Sequence, residues 1–542
     1  MTILIIPRKQ FEKDVGKLNE KMQEQIAMFG TPIEALTDDE LQIEIFPNRP
    51  DLLSYQNYKH AFLAFLGKNT GLKKIEINKP EKDYKVIIDK SIEKVRPYTA
   101  CAIVKNLNFN DEKIKEIIDI QEKLHITLGR KRKKGAIGIY PLEKIKLPIT
   151  FKALAPEEIK FQPLEFPRVI NGRQILSQHP AGREYGFLLD SYEKYPVFVD
   201  ADNEILSMPP IINSHKTGKI NCETKDIFIE CSGFDLEVLK KILNIIVLSL
   251  DSMGGQVYQM NLQYGSKIIT TPDFEPEKIK LSLEHANKLL GLELSEKRAK
   301  EFLERMGYDY VGGNALAPAW RADILHEVDL IEDIAIGYGY DKFIPEIPKV
   351  ATIGEISKTE MIKSKISEIL VGLNLLETSS YHLTTKEAQI KNMLSQDKEF
   401  IELLNSKTEY NILRKDLAHY ALKIFSENID VEYPQEIFQI GRVFHGLEER
   451  NNLVVALAPG NFTKLKQILE YLFRMLNLEF KIEHPKLIPA HFIEGRLGEV
   501  KFNNNSIGYI GEVHPRVLKN FKIKMPVALF EIELEDVLKT LS

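Results

Sequence analysis

Cysteine is scarce in this chain, and long apolar runs are missing. Cys101, Cys222 and Cys231 are the three cysteines among 542 residues, and none belongs to a C-x-x-C pair. This pattern predicts neither a disulfide framework nor a zinc site, and it indicates a reducing compartment. The apolar runs at residues 3–6 and 243–250 are too short for a signal sequence and a bilayer span, respectively. A soluble cytoplasmic protein is therefore expected.

The chain also lacks a strong excess of charge of either sign. Its 73 basic and 78 acidic residues give a formal net charge of -5, which argues against indiscriminate nucleic-acid binding. Any RNA contact must then use a local basic patch. The apolar fraction of 44% and the charged fraction of 28% are typical of globular proteins, so extensive disorder is not expected.

The length predicts a multidomain α+β protein, because 542 residues exceed what one hydrophobic core organises. Neither a tandem repeat nor a low-complexity tract is visible. The apolar patterns predict four regions: an α/β module at residues 1–90, a larger α+β domain at 91–260, a small helical domain at 268–347, and a largely antiparallel sheet with covering helices at 350–542.

The most informative stretch is the acidic segment at residues 318–345. If residues 326–338 are helical, Asp329, Glu332 and Asp333 are spaced i, i+3, i+4 and share one face, opposite an apolar face that includes Val328. Asp323 lies in the loop that enters this helix. Four carboxylates without a neutralising base predict a Mg²⁺ site, since this ion prefers carboxylate oxygens. The alternative is a set of solvated acids that complement the helix dipole.

The same segment carries a family resemblance in W-R-x-D-I, D-L-I-E-D and I-G-Y-G-Y. It resembles the metal-site segment of phenylalanyl-tRNA synthetase beta subunits. The resemblance implies that Asp323, Asp329, Glu332 and Asp333 hold Mg²⁺ near the junction with an alpha subunit, with Asp333 where many members have Glu. The stretch N-R-P-D-L-L-S is similar to another signature of this family, and its residues predict an Arg49–Asp51 ion pair with Asp51 capping the following helix.

A dense basic run, G-R-K-R-K-K-G, occupies residues 129–135. It is interpreted either as a solvated loop or as an electrostatic contact with an RNA backbone, and the residues alone do not decide between the two. Together with the A-I-G-I that follows, it resembles the archaeal and eukaryotic type of this subunit.

Four further motifs, H-P-A-G-R-E-Y-G, Y-P-V-F-V-D, L-S-M-P-P-I-I-N and I-F-I-E-C-S-G, resemble that type's editing region. The resemblance implies an editing-type α/β domain that hydrolyses tyrosine wrongly esterified to tRNA(Phe). Ser207, Glu230 and Ser232 could then grip substrate or water, or they could be ordinary turn and edge residues. Neither a Ser/His/Asp triad nor a metal-ligand set is recognisable here, so a positioned water is expected.

The last block, residues 350–542, lacks the G-x-G of a class II synthetase active site. Arg414 and Arg496 lie near motif positions, but the surrounding pattern is absent from both. The block resembles the family's class II synthetase-like antiparallel sheet domain, without catalytic motifs, and this implies an interface rather than adenylate chemistry.

The resemblance implies a beta subunit that pairs with a catalytic alpha subunit as an α2β2 heterotetramer. The complex would use ATP to attach L-phenylalanine to tRNA(Phe), with Mg²⁺ at a site shared between subunits. Two other hypotheses are a free-standing aminoacyl-tRNA hydrolase that uses only residues 91–260, and a non-catalytic RNA-binding scaffold.

Overall fold

The computed structural model describes residues 2–541, and the chain divides into two units between residues 346 and 347. The first unit opens with strands Thr2–Pro7 (β1), Ile33–Leu36 (β2) and Glu40–Ile45 (β3) and helices Arg8–Asp14 (α1), Glu20–Met28 (α2) and Tyr55–Phe65 (α3). Both β1 and β2 pair antiparallel with β3. The Phe29 ring packs against three aromatic rings of α3, with centroids 5.2–6.0 Å apart. These contacts pack α3 against the end of α2.

A large mixed sheet forms the middle of the first unit. Its region contains strands Ile77–Asn78 (β4), Lys85–Ile88 (β5), Tyr98–Lys105 (β6), Gly135–Pro141 (β7), Ile149–Leu154 (β8), Lys160–Phe161 (β9), Ile170–Asn171 (β10), Tyr195–Val199 (β11), Ile205–Met208 (β12), Ile212–Asn213 (β13), Ile227–Gly233 (β14), Gln256–Tyr264 (β15) and Lys267–Thr271 (β16). Its helices are Asp111–Ile126 (α4), Gly172–Gln178 (α5), Pro180–Tyr185 (α6) and Leu236–Ser252 (α7). The order is β13-β12-β11-β8-β5-β15-β6-β14-β7, with β4 and β16 also on β15, while β9 and β10 pair with each other.

The apolar helix α7 covers this sheet. Its side chains pack on β6 and β14, and nearly all residues from 239 to 250 are buried. On its other side, Asn57 of α3 donates to the Ile245 carbonyl at 3.0 Å, and the hydroxyls of Ser249 and Ser54 are 3.1 Å apart. The sequence of α7 is a continuous apolar run because the sheet covers one side of the helix and α3 covers the other. None of the helices within residues 2–541 is long and apolar enough to cross a membrane.

The acidic segment lies in the last part of the first unit. This part contains strands Glu277–Lys280 (β17), Asp309–Val311 (β18) and Asn314–Ala317 (β19) and helices Leu283–Leu290 (α8), Glu296–Arg305 (α9) and Glu327–Tyr338 (α10). Besides the expected helices there is a small antiparallel sheet, ordered β17-β19-β18, whose strands of three or four residues are too short for periodicity to reveal. Helix α10 ends where the sequence predicts, before Gly339 at φ 105°.

The second unit is built on a sheet with helices on both faces. Its elements are helices Lys358–Gly372 (α11), Ala418–Glu427 (α12), Phe462–Met475 (α13), Pro515–Asn520 (α14) and Glu535–Leu541 (α15), and strands Leu376–Glu377 (β20), Leu383–Thr384 (β21), Ile412–Leu413 (β22), Gln435–His445 (β23), Glu448–Ala458 (β24), Lys481–Glu483 (β25), Phe492–Phe502 (β26), Asn505–Val513 (β27) and Ala528–Glu533 (β28). The main sheet is ordered β20-β23-β24-β28-β27-β26-β25, and its pairs are antiparallel except β20–β23. The predicted α+β multidomain class is confirmed.

Strand β24 shows why this sheet needs two helical layers. Leu453, Val455 and Leu457 join the core beneath α11, α13 and α15. Val454, Ala456 and Ala458 join a second core beneath α12 and α14. Because successive side chains of a strand point to opposite faces, a strand covered on both faces is a continuous apolar run.

Candidate functional sites

The acidic segment begins where a histidine caps α10. His326 Nδ1 accepts a hydrogen bond from Val328 N at 3.3 Å. In return, Asp329 Oδ2 accepts from the backbone N–H groups of Leu325 and His326, both at 2.7 Å. This capping box satisfies N–H groups that the start of a helix would leave without partners. The Asp329 carboxylate is therefore turned toward the backbone.

A buried arginine occupies the centre of the acidic segment. Arg321, 2% exposed, donates from Nε and Nη2 to the two oxygens of Asp323, each at 2.8 Å. Its Nη2 also donates to Asp333 Oδ2 at 2.9 Å, and the Tyr308 hydroxyl donates to the same oxygen. Burial raises the pKa of Asp323, but the charge and hydrogen bonds of Arg321 outweigh burial and hold that pKa below its usual range. The prediction that no base neutralises these acids is wrong.

The exposed face of α10 also differs from the predicted one. Val328, placed on the buried face by the sequence pattern, is 43% exposed, whereas Asp333 is only 4% exposed. Leu330, Ile331 and Ile334 form the apolar centre of the buried face. The physical reason is the buried charge of Arg321, which requires a buried counter-charge and so turns Asp333 inward.

The four acids do not converge as ligands of one ion. Asp323 and Asp333 are occupied by Arg321, Asp329 caps the helix, and exposed Glu332 has no hydrogen-bond or ion-pair partner among the described residues. Within residues 2–541, no group of three or more His, Cys, Asp or Glu side chains could hold a metal ion. Since Mg²⁺ demands near-ideal octahedral oxygen geometry, this arrangement does not fit it. The magnesium role of the four acids stays a prediction.

A second arginine lies across a cleft of about 370 Å³ from this segment. Arg49 Nε and Nη2 donate to the two oxygens of Asp51, both at 2.9 Å, which confirms the predicted ion pair. The predicted cap is wrong, because Asp51 lies in a short 3₁₀ turn, Pro50–Leu52, and Ser54 caps α3 by accepting from Asn57 N. Arg49 and the Arg321–Asp323 pair therefore line one cleft.

A smaller cleft, of about 120 Å³, lies on the large sheet where β7 and β14 pair. Its walls include His125, Arg132, Ile137, Pro210, Asn213 and Glu230. Glu230 is 2% exposed, and its Oε1 accepts from the Tyr140 hydroxyl at 3.2 Å. Burial raises the pKa of Glu230 to about 8, against the opposing effects of Arg96, Tyr140 and Ser232. At neutral pH its carboxyl is therefore mostly protonated.

Of the three predicted editing residues, Glu230 lines this cleft, whereas Ser207 of β12 and Ser232 of β14 are not among its walls. Glu230 Oε2 and Ser207 Oγ are buried atoms without a hydrogen-bond partner. Ser207 pairs in register with Asn213 of β13, whose side chain accepts from the Tyr140 hydroxyl at 3.3 Å. Ser232, two residues from Glu230 along β14, accepts from Arg96 Nε at 3.1 Å. Only Ser207 and Glu230, of these three, keep polar atoms free for a ligand.

Two residues that sequence reasoning missed shape the cleft, Gly138 and Tyr140. Gly138 lies opposite Glu230 in the β7–β14 register. A Cβ at this position would lie 2.2 Å from the Tyr140 hydroxyl oxygen and 2.6 Å from Glu230 Oε1. The A-I-G-I-Y stretch contained both residues, but their role depends on strand pairing that the sequence does not display.

His125, which lines the cleft, already has a hydrogen-bond partner at each ring nitrogen. His125 Nε2 accepts from the Ile137 N–H at 2.9 Å, so the ring proton is on Nδ1, which lies 3.2 Å from Glu122 Oε1. Burial lowers the pKa of His125, against the opposing effect of Glu122. A neutral, doubly hydrogen-bonded imidazole is a structural group here rather than a free general base.

Three family models match successive parts of the chain between residues 84 and 534. The model of the phenylalanyl tRNA synthetase beta chain CLM domain matches residues 344–534, that of the tRNA synthetase B5 domain matches residues 279–340, and that of the B3/4 domain matches residues 84–252. The phenylalanine–tRNA ligase beta subunit of Pyrococcus furiosus is 38% identical over 503 residues, covering 90% of each chain. That of Archaeoglobus fulgidus is 35% identical over 544 residues, covering 98% of each. A crystal structure of an N-terminal fragment of the Pyrococcus horikoshii phenylalanyl-tRNA synthetase beta subunit has 34% identity and a TM-score of 0.59, covering 62% of this chain and 99% of that one.

Proposed function

Because the chain belongs to the family of phenylalanine–tRNA ligase beta subunits, we propose that it acts with a catalytic alpha subunit in an α2β2 ligase. The predicted family resemblance is confirmed, and with it the class of enzyme, a ligase. In this proposal the complex attaches L-phenylalanine to tRNA(Phe) in the cytoplasm, with ATP as the co-substrate and Mg²⁺ as the cofactor.

The contacts of Arg414 support a division of labour in which this chain does not form the adenylate. Arg414 is 2% exposed, and its Nε and Nη1 donate to the carbonyls of Ser380, Tyr381 and Arg442. A phosphate-binding arginine needs free N–H groups that point to solvent or ligand, and this one directs them to the backbone. Arg496 is exposed and pairs with Glu512 at 2.7 Å.

The observation that carries the editing part of the proposal is the pair of free buried atoms, Ser207 Oγ and Glu230 Oε2. A buried polar group without a partner costs roughly 1–3 kcal/mol, which a bound ligand with a matching hydroxyl group would recover. An apolar pocket discriminates poorly against a substrate that merely adds a hydroxyl, so a phenylalanine ligase needs a second site that binds tyrosine. We assign that site to the small cleft, with a positioned water as nucleophile.

The test is hydrolysis of Tyr-tRNA(Phe) by the full chain co-expressed with an alpha subunit. Glu230→Ala and Ser207→Ala should each slow deacylation at least tenfold and leave phenylalanine attachment unchanged. Ser249→Ala is the matched control, because Ser249 is an equally buried hydroxyl on α7. A wild-type complex that leaves Tyr-tRNA(Phe) intact would refute editing, and full deacylation by the chain alone would favour the free-standing hydrolase.

A further inference from the structure

The basic run at residues 129–135 forms an unusual turn between α4 and β7. Three successive residues with side chains, Arg130, Lys131 and Arg132, adopt φ values of 48°, 52° and 64°. Non-glycine residues rarely occupy this left-handed region, and they persist there when the surroundings over-determine them. Here the N–H groups of Gly129, Lys131 and Arg132 donate to the last carbonyls of α4, so the turn caps that helix. We call residues 129–135 the basic turn.

Arg132 anchors the basic turn to the cleft. Its guanidinium donates to the carbonyls of Pro210 and Ile211 at 3.3 and 2.9 Å and to Glu122 Oε1 at 3.1 Å. The same group lies 4.4 Å from the centre of the Tyr185 ring. Because Arg132 also lines the cleft, the turn and the cleft share one wall. The turn is held rigidly in this place.

The backbone of the turn is tethered to the strand that carries Glu230. Arg96 Nη2 donates to the carbonyl of Arg132 at 3.3 Å and to that of Ser232 at 2.5 Å. In addition, a Cβ on Gly233 would lie 2.1 Å from the Lys134 carbonyl oxygen, so glycine allows the turn to lie against the end of β14. The turn is therefore tied to the end of β14, the strand that carries Glu230.

Unlike Arg132, the other four cationic side chains of the turn form no ion pair among the described residues. Arg130, Lys131, Lys133 and Lys134 are exposed, and none has a carboxylate partner within the described part of the chain. In a chain of net charge -5, four unpaired cations in five residues are a concentrated positive patch. Complementing the negative end of α4 accounts for part of this charge, but that effect is confined to the last helical turn.

We propose that these four side chains bind the phosphates of the single-stranded 3′ end of tRNA, the end whose esterified amino acid enters the cleft. This inference rests on the proposed editing function, since it assigns the substrate backbone of the same site. A rigid platform loses little conformational freedom on binding, so four preordered cations suit a flexible single strand. Arg130, Lys131, Lys133 and Lys134 are positioning residues and take no part in bond cleavage.

The experiment measures the affinity of the chain, co-expressed with an alpha subunit, for tRNA(Phe) with and without its CCA end, over a series of salt concentrations. One variant carries Gln at Arg130, Lys131, Lys133 and Lys134. Its matched control carries Gln at Lys9, Lys13, Lys17 and Lys21, which are also four exposed cations without carboxylate partners among the described residues. Thermal unfolding of both variants checks that the fold is retained.

We expect the wild type to lose affinity when the CCA end is removed, and the basic-turn variant to show no such difference. The slope of log affinity against log salt should fall by about 0.7 for each phosphate that is no longer bound, or roughly 1.5–3 for two to four phosphates. In Tyr-tRNA(Phe) hydrolysis, KM should rise roughly tenfold or more while kcat is unchanged. The N-terminal control should behave as wild type.

Equal CCA dependence in the wild type and the basic-turn variant would overturn the inference, and so would an equally weakened affinity in the control. Failure of editing gives a different result: the wild type then hydrolyses no Tyr-tRNA(Phe), while the CCA dependence of binding still reports on the basic turn. The inference also fails if the basic-turn variant unfolds at a lower temperature but keeps the salt slope of the wild type. The basic turn would then serve only to cap α4.

Discussion

Removing the charge of Arg321 should destabilise the first unit more than removing any exposed arginine. In the variant Arg321→Met, the buried carboxylates of Asp323 and Asp333 lose their counter-charge while the aliphatic volume is largely kept. Breaking a buried pair by removing one partner costs about 3–5 kcal/mol, because the remaining charge is left unpaired. With an unfolding entropy of about 2.1 cal/mol/K per residue over 346 residues, this lowers Tm by about 4–7 °C.

The matched control is Arg298→Met in the same unit. Arg298 also pairs with a carboxylate, Glu301, at 2.8 Å, but the two side chains are 56% and 51% exposed. An exposed pair contributes about 0–1 kcal/mol, so the shift in Tm should be within about 1.5 °C. A third variant, Arg321→Met with Asp333→Asn, removes one of the stranded charges and should recover part of the stability.

The pH dependence gives a second signature of the same ion pair. In the wild type, the lowered pKa of Asp323 contributes stability that is present above the unfolded pKa and is lost as pH falls through the folded pKa. Without Arg321, only the charge of Arg49 and a backbone hydrogen bond oppose the burial that raises the pKa of Asp323. Protonation of Asp323 on acidification should therefore cost the variant less stability than it costs the wild type. The difference in Tm should therefore shrink as pH falls from 7 toward 4. Equal shifts for the two arginine variants, or a difference independent of pH, would refute the buried-pair account.

Three further predictions concern the cleft and the acids. Gly138→Ala should slow Tyr-tRNA(Phe) hydrolysis at least tenfold, because the added Cβ collides with Tyr140 and Glu230. The control Gly372→Ala, whose added Cβ meets no neighbouring residue within 4 Å, should leave the rate unchanged. Equal rates for the two variants would contradict this prediction. Glu230→Gln should stabilise the chain progressively from about pH 5 to pH 8, since the raised pKa of about 8 makes folding take up a proton over that range. A Tm difference that is flat in pH would contradict it. Exchanging EDTA for Mg²⁺ should leave the Tm of the isolated chain unchanged, because Arg321 and the backbone occupy three of the four acids. A rise of several degrees would support the predicted magnesium ligands.

The sequence predicts well those features that repeat along one element. The end of α10, the apolar run of α7 and the covered strands of the second unit all follow from period and from turn residues. The Arg49–Asp51 pair was also predicted, although its spacing of two residues does not ensure a pair, since Arg414 and Asp416 share that spacing. Ser54 rather than Asp51 caps α3, since a 3₁₀ turn at Pro50–Leu52 separates Asp51 from the helix start. Local sequence patterns locate the ends of helices and strands only to within a few residues, and the difference between Asp51 and Ser54 is of that size.

The candidate sites were less predictable, because their geometry depends on contacts between distant segments. Helical spacing grouped Asp329, Glu332 and Asp333 as free ligands, whereas Asp333 turns inward to a base twelve residues earlier in the chain. Glu230 was recognised by its motif, but the room for its carboxyl group and for the Tyr140 hydroxyl depends on Gly138, 92 positions away across a strand pair. Neither relation has a period that a single sequence displays.

Two buried arginines show what such long-range contacts decide. Arg321 and Arg414 are each 2% exposed, and each precedes an aspartate by two residues, as R-A-D and R-K-D. Arg321 binds its aspartate and a second carboxylate from α10, so it forms an ionic centre. Arg414 instead donates to backbone carbonyls of Ser380, Tyr381 and Arg442, and burial lowers its pKa. The same residue pattern thus produces an ion pair in one unit and a clamp on three carbonyls in the other. The clamp directs Nε and Nη1 of the Arg414 guanidinium to the backbone, so these N–H groups are not available to a ligand.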